Sequence, residues 1–222
     1  VIDKGKKLHI MGDIHGKFGP YTQTVNRLNK RGCSTLQLGD FGIGFPQCTW
    51  KDSRLNDLSR NAAFRGNHDN PAHARESELF LPDFGYIAEA KLFWFSGAFS
   101  IDKDWRTEDV DWWRDEQLSY SQMEDATRLY EECKPEIVVS HDGPYEAVRE
   151  MFPALGLSRY EKNPTTSCLQ NMFEIHHPKK WFFGHHHQDI KMQIFPPGTV
   201  FTCVGIDQSV EVLIDGWDGK FR

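Results

Sequence analysis

Leu8-His9-Ile10-Met11-Gly12-Asp13-Ile14-His15-Gly16 is a short apolar run that ends in a turn carrying a carboxylate and an imidazole. The same layout recurs twice. Residues 35–38 (TLQL) run into Gly39-Asp40-Phe41-Gly42, and residues 61–65 (NAAFR) run into Gly66-Asn67-His68-Asp69. Asp13, Asp40 and Asn67 thus stand 27 residues apart in succession. A strand, its crossover and the next parallel strand take about 30 residues, so this rhythm predicts three consecutive parallel strands. Their C-terminal ends share one edge, where loops fixed to a rigid α/β sheet form a site.

Working outward, residues 22–30 predict a helix with Val25 and Leu28 on its inner face and Gly32 just past its end. Residues 51–60 predict a second helix. From 71 to 117 the pattern is less regular. Residues 92–99 (LFWFSGAF) predict two strand pieces around Ser96-Gly97, within an irregular Trp-rich segment over about 93–117. Ser121-Gln122-Met123-Glu124 resembles a capping box opening a helix that reaches Cys133 and stops before Pro135. Residues 137–140 predict a strand running into Ser140-His141-Asp142-Gly143-Pro144. Asn163-Pro164 reads as the cap and first position of a helix through 175. Residues 181–183 lead into Gly184-His185-His186-His187, and 191–195, 199–204 and 210–214 predict late, antiparallel strands. The length of 222 residues suits one domain over 1–222.

Net charge is −6 with His neutral, which argues against a broad basic surface for duplex nucleic acid. A short oligonucleotide stays compatible, because bound cations could neutralise its phosphates locally. Cys33, Cys48, Cys133, Cys168 and Cys203 are odd in number and contain no C-x-x-C pair. They predict reduced, mostly buried thiols in a cytoplasmic protein rather than a thiolate zinc site. No apolar run approaches the roughly 20 residues of a membrane span, and no signal-peptide pattern opens the chain.

Taken singly, each block reads as ordinary turn chemistry, since Asp, Asn and Gly favour turns for local reasons. Five of them in order, each at a strand end, point to a metal centre. Asp13 and His15 are two residues apart, as are His185 and His187. In an extended backbone each pair falls on one side, with His186 pointing the other way. Imidazole nitrogen with carboxylate oxygen suits Mn²⁺, Fe, Zn²⁺ or Ni²⁺. A carboxylate between two cations can bridge them, and Asp40 is the candidate.

Together the blocks resemble the calcineurin-like metallophosphoesterases, a family that includes Ser/Thr protein phosphatases, nucleases and cyclic-nucleotide phosphodiesterases. The resemblance runs from Asp13 to His187. It implies an α/β fold, a four-layer α/β/β/α sandwich with two mixed central sheets. It implies two divalent transition metal ions, Mn²⁺ first, with Fe, Zn²⁺ and Ni²⁺ as alternatives. One falls to Asp13, His15 and His187, the other to Asn67, His141 and His185, and Asp40 bridges them. It further implies attack by a metal-bridging hydroxide on a phosphate ester, with His68 giving a proton to the leaving oxygen. Arg65 would contact phosphate, and Asp69 or Asp142 would orient His68.

One departure bears on substrate. Protein phosphatases of this kind continue the second block as Gly-Asp-x-Val-Asp-Arg-Gly, whereas here Ile43 and Gly44 occupy the later Asp and Arg positions. The reading therefore leans to a phosphodiester, a nucleotide or a short nucleic acid. A protein phosphatase of the same fold is the alternative, and a non-catalytic interaction scaffold the remote one. The segment around Trp105, Arg106, Trp112 and Trp113 reads first as core or lid packing, and second as a cap that stacks on a base. His9, His73, His176 and His177 read as structural or surface residues. Asp102, Asp104, Glu108, Asp109 and Asp111 read as a solvated charged loop.

Overall fold

The computed structural model describes residues 5–155, 161–193 and 198–222. In chain order the elements are β1 (Lys6–Met11), α1 (Phe18–Asn29), β2 (Ser34–Gln37), β3 (Asn61–Ala63), α2 (Pro71–Glu76), β4 (Phe84–Ile87) and β5 (Leu92–Phe95). They continue with α3 (Tyr120–Cys133), β6 (Ile137–Ser140), α4 (Tyr145–Leu155), α5 (Pro164–Ile175), β7 (Lys180–Phe183), β8 (Ile190–Gln193), β9 (Val200–Cys203) and β10 (Ser209–Ile214).

The 27-residue rhythm is realised as expected. β1, β2 and β3 are parallel neighbours, with Leu8 opposite Ser34 and Thr35 opposite Asn61. β10 closes this sheet antiparallel to β1, giving the order β10-β1-β2-β3. The second sheet has the order β4-β5-β6-β7-β9-β8. Its four central strands are parallel and both edge strands are antiparallel.

Period-2 alternation assigns each strand's side chains to two different cores. Leu8, Ile10, Leu36 and Ala62 of the first sheet pack with Leu92, Trp94, Val139 and Phe182 of the second. The opposite residues of the second sheet, Phe93, Phe95, Val138, Trp181 and Phe183, pack on Met123, Tyr130, Met151, Leu169 and Met172 from α3, α4 and α5. Met11 and Ala63 on the outer face of the first sheet pack with Phe18, Tyr21 and Val25 of α1 and Ala74 of α2. The layers are therefore helix, sheet, sheet, helix.

Several expectations are revised. α1 starts at Phe18 rather than residue 22, because Phe18 and Tyr21 extend the buried stripe of Val25 and Leu28 at helical spacing. Residues 51–60 hold two single 3₁₀ turns, Asp52–Arg54 and Leu58–Arg60, instead of an α-helix. Their aspartates compete with helical pairing. Asp57 accepts from Ser59 N and Oγ, and Asp52 accepts from the Trp50 indole, Ser77 and Glu78 N. The capping box of α3 is Ser119 with Gln122, two residues earlier than expected. Residues 92–99 give one strand, since Gly97 turns the chain away at φ 79° and its N–H bonds Arg65 O. β8 and β10 are antiparallel as expected, but β9 lies parallel to β7. The predicted strand end at 194–195 lies outside the described residues. α2, β4 and α4 were not anticipated. No helix among the described residues is long and apolar enough to cross a membrane, and all five cysteines are free thiols.

Candidate metal centre

All five blocks meet at the C-terminal edge of the parallel strands. Asp13 and His15 follow β1, Asp40 follows β2, and Asn67 and His68 follow β3. His141 follows β6 in the second sheet, and His185 and His187 follow β7. Ligand atoms of Asp13, His15, Asp40 and His187 all lie within 4.8 Å of one another, as do those of Asp40, His141 and His185. Asp40 belongs to both groups.

The convergence does not come from strand alternation. His15, Asp40, His185 and His187 have φ of 43°, 53°, 64° and 57°, so each turns through the left-handed region that non-glycine residues seldom enter. Such conformations persist where surrounding contacts over-determine them. One such contact is Asp69. Its carboxylate accepts the N–H groups of Phe41 at 3.1 Å, Gly42 at 2.7 Å, Ile43 at 3.1 Å and Gly66 at 2.8 Å. Asp69 therefore ties the second block to the third, and its hydrogen bonds run to backbone rather than to the His68 ring. Burial first, and then Asp40, push its carboxyl upward, while these N–H bonds oppose the rise.

The donor set fits a pair of cations. His15 Nε2 and His187 Nε2 stand 3.0 Å apart, and His187 Nε2 stands 3.2 Å from Asp13 Oδ2. Asp40 Oδ2 is buried without a hydrogen-bond donor, a costly condition that a bound cation would relieve. In the second group His141 Nδ1 donates to Leu38 O at 2.7 Å, which leaves Nε2 facing the site. That nitrogen lies 3.1 Å from both Asp40 Oδ1 and Asn67 Oδ1. Burial alone would lower the His141 pKa, but the Asp40 carboxylate beside it, aided by Asp13, raises it to about 10. Burial pushes His185 down to about 4. There is no room for a side chain at Gly66, where a Cβ would fall 2.2 Å from Asp40 Oδ1 and 2.6 Å from His141 Nε2.

Asn67 is aimed by a relay from the Trp-rich segment. Its Nδ2 donates to Ser100 Oγ at 3.0 Å, and Ser100 donates through Oγ and N to Glu116 at 2.5 and 2.9 Å. This relay leaves Asn67 Oδ1 for the metal side. Nothing local in the sequence marks Ser100 or Glu116.

His68 is fixed through its backbone, whose N–H donates to Asp40 Oδ1 at 2.8 Å. Its ring lies edge-on to His15, with centroids 5.2 Å apart. Burial lowers its pKa, partly offset by Asp40, and Arg106 lowers it further. Arg106 Nη1 and Nη2 stand 3.1 Å from the two ring nitrogens. Asp102 grips Arg106 in turn, at 2.8 Å from Nε and 2.7 Å from Nη2. The carboxylate that reaches His68 through a partner is thus Asp102, not Asp69 or Asp142. Asp142 binds His186 at 3.0 Å instead, and His186 does turn away from the metal side.

The Arg65 side chain makes its contacts with Asp83 and Glu116 rather than with a candidate ligand. It is buried, with Nε on Asp83 at 2.6 Å and Nη1 on Glu116 O at 2.7 Å. This places it as a brace under the Trp-rich segment, with Nε and Nη1 committed to those two acceptors. At Gly44, φ is 84° and a Cβ would fall 2.2 Å from Asn70 Cβ, so an arginine there would displace the chain. Among the tryptophans, Trp113 is buried edge-on to Phe45, while Trp105 is 88% exposed. A cavity of about 310 Å³ opens beside His15 and His68, walled by Phe18, Phe45, Cys48 and Thr49.

Residues 6–189 match the calcineurin-like phosphoesterase family. No curated protein sequence matches the chain. Among solved structures, TT1561 of Thermus thermophilus is similar at 12% identity and TM-score 0.55, covering 94% of this chain and 99% of that one. A Staphylococcus aureus chain named "Putative 5'-Nucleotidase", in complex with alpha-ketoglutarate, is similar at 14% identity and TM-score 0.55 over 94% of this chain and 50% of that one. GAP50, the anchor in the inner membrane complex of Plasmodium, is similar at 10% identity and TM-score 0.50, with 91% of this chain and 72% of that chain covered. At these identities the structures speak for the fold alone. The sequence match over most of the chain, on a fold that brings the candidate ligands to one edge, places this chain in the calcineurin-like phosphoesterase family of metal-dependent hydrolases of phosphoric ester bonds.

Proposed function

We propose that this chain hydrolyses phosphate esters with two divalent cations, and that its substrates are phosphodiesters or nucleotides. The observation that carries the reading is Asp40. It is shared by two ligand groups, and one of its oxygens is buried without a donor. Asp13, His15 and His187 would hold one cation, and Asn67, His141 and His185 the other, with Asp40 between them. Bound there, the pair would polarise the phosphoryl oxygens and supply an activated water at neutral pH. The chain's own part is to hold these ligands dry and aimed. The Leu38 carbonyl orients His141, the Ser100–Glu116 relay orients Asn67, and Asp69 holds two of the blocks together.

His68 is the proposed proton donor to the leaving oxygen. Its backbone is tied to Asp40, so its ring stays at the rim of the metal centre. Imidazole is the side chain suited to giving a proton near neutral pH. The preference for diesters or nucleotides rests on two features. Gly44 leaves no room for the arginine that protein phosphatases carry there. The aromatic-walled cavity beside His68 is also large enough for a planar leaving group. Mn²⁺ is the first metal to test.

The test is a substrate panel with Mn²⁺: bis-p-nitrophenyl phosphate, p-nitrophenyl phosphate, nucleotides and a phosphopeptide. Turnover of diester or nucleotide is expected. Strong turnover of the phosphopeptide alone would overturn the substrate preference, and a metal-free, inert protein would overturn the enzymatic reading.

A further inference from the structure

The segment between β5 and α3 does more than cover the site. It supplies Ser100 and Glu116 to aim Asn67, and it sets Arg106 against His68. Of the five N–H groups of a guanidinium, three of Arg106's are taken. Nε and Nη2 donate to Asp102, and Nη1 donates to Asp111 O at 3.0 Å. Two parallel N–H groups remain, one on each Nη, and both face the His68 ring. Imidazole cannot satisfy them both. Its two in-plane lone-pair positions point apart, and in the neutral ring one nitrogen is itself a donor. The fork is therefore held rigidly, with a surplus donor, at the leaving-group side of a cation-binding centre. Its side chain is only 16% exposed, so the charge is partly shielded from solvent.

A guanidinium gripped by a carboxylate on one edge can offer its other edge, which here faces the His68 ring, to two oxygens of a tetrahedral anion. The second block lacks its arginine, with Gly44 at that position. Arg65, the other candidate, is committed to Asp83 and Glu116 O. Arg106 is the guanidinium that reaches His68.

We propose that Arg106 is a substrate-binding residue of this site, the fork that faces His68 taking two oxygens of the reacting phosphoryl group, with Asp102 as its positioning residue. The proposal rests on the phosphoesterase reading. In that arrangement the fork sits beside the leaving oxygen, within reach of the proton His68 would give.

Inorganic phosphate binding to the Mn²⁺-loaded chain, measured by calorimetry beside metal content and steady-state kinetics, tests this. Arg106→Met is expected to keep two metal ions, to weaken phosphate binding by about 10- to 100-fold, and to raise KM for the ester. Arg106→Lys, which keeps the charge and loses the fork, is expected to fall between it and wild type. Asp102→Asn is expected to raise KM more than it lowers kcat, and to weaken phosphate less than Arg106→Met. Wild-type phosphate affinity in Arg106→Met, or loss of metal from it, overturns the proposal by making Arg106 dispensable or merely structural. A wild-type chain that binds two metals yet hydrolyses no ester of the panel overturns the underlying reading instead.

Discussion

Replacing Asp83 with alanine separates a brace from a catalytic group at Arg65. The Arg65 side chain is 3% exposed, and its Nε lies 2.6 Å from Asp83 Oδ1. Asp83 Oδ2 also accepts from Gln122 Nε2 at 3.1 Å. Asp83→Ala removes both bonds and leaves a buried guanidinium held by the Glu116 main-chain carbonyl. Deleting one partner of a buried pair costs about 3–5 kcal/mol. Asp83 is itself 14% exposed, so water can reach the gap and the lower end, about 3 kcal/mol, is expected. At an m-value of about 2–3 kcal/mol/M in urea, the unfolding midpoint falls by about 1 M or slightly more. The kcat of the folded, metal-loaded variant should stay near wild type, because the Arg65 donors are committed to Asp83 and Glu116 O rather than to a ligand residue.

The same pair predicts a pH dependence. Burial would raise the Asp83 carboxyl, but the Arg65 charge and hydrogen bond, aided by Arg75, bring it below its ordinary value of 3.8. A depressed folded pKa stabilises above the unfolded pKa. That contribution is therefore complete above about pH 5 and is lost as pH falls below 4 toward the folded value. Asp83→Asn should flatten this part of the stability profile. An unchanged urea midpoint in Asp83→Ala, together with a large loss of kcat/KM, would refute the brace and return Arg65 to the chemistry.

Three further outcomes are expected. His68→Ala should keep both metals and the fold while slowing hydrolysis of an alkyl ester by about 10²- to 10⁴-fold; an unchanged rate in a stopped assay refutes its role as acid. Asp40→Asn should lower affinity for both ions, because one residue serves both ligand groups, and full occupancy by elemental analysis would defeat the bridging assignment. Ser100→Ala, which frees the Asn67 amide, should weaken one ion by about 10- to 100-fold and spare the other, as seen by competitive chelation. Equal effects on both ions would count against the relay.

Much of the site was legible because its signals are local. An apolar run followed by Gly and a ligand residue marks a strand end, and the even spacing of Asp13, Asp40 and Asn67 marks neighbouring parallel strands. Asn163-Pro164 was legible for a similar reason, since the cap and the first helical position lie next to each other. The helix expected at 51–60 failed because aspartates at 52 and 57 found partners in Trp50, Ser59, Ser77 and Glu78, contacts that a propensity reading does not see. Strand alternation does not account for the Asp13–His15 pair, although the pair does converge. A left-handed turn at His15, held by neighbouring backbone bonds, takes the place of strand alternation.

By itself the sequence marked the candidate ligand side chains and the order in which they arrive, because residue type and strand-end position are properties of short stretches. It also determined the family, through the match over 6–189. Tertiary structure alone decided how the supporting groups divide their work. Asp69 became a backbone clasp, Arg65 a buried brace, Ser100 and Glu116 the guide of Asn67, and Arg106 with Asp102 the cover of His68. Each of those roles depends on a contact between distant stretches of chain. Which acceptor a buried charged or polar group meets is set only when the two sheets and the segment between them pack.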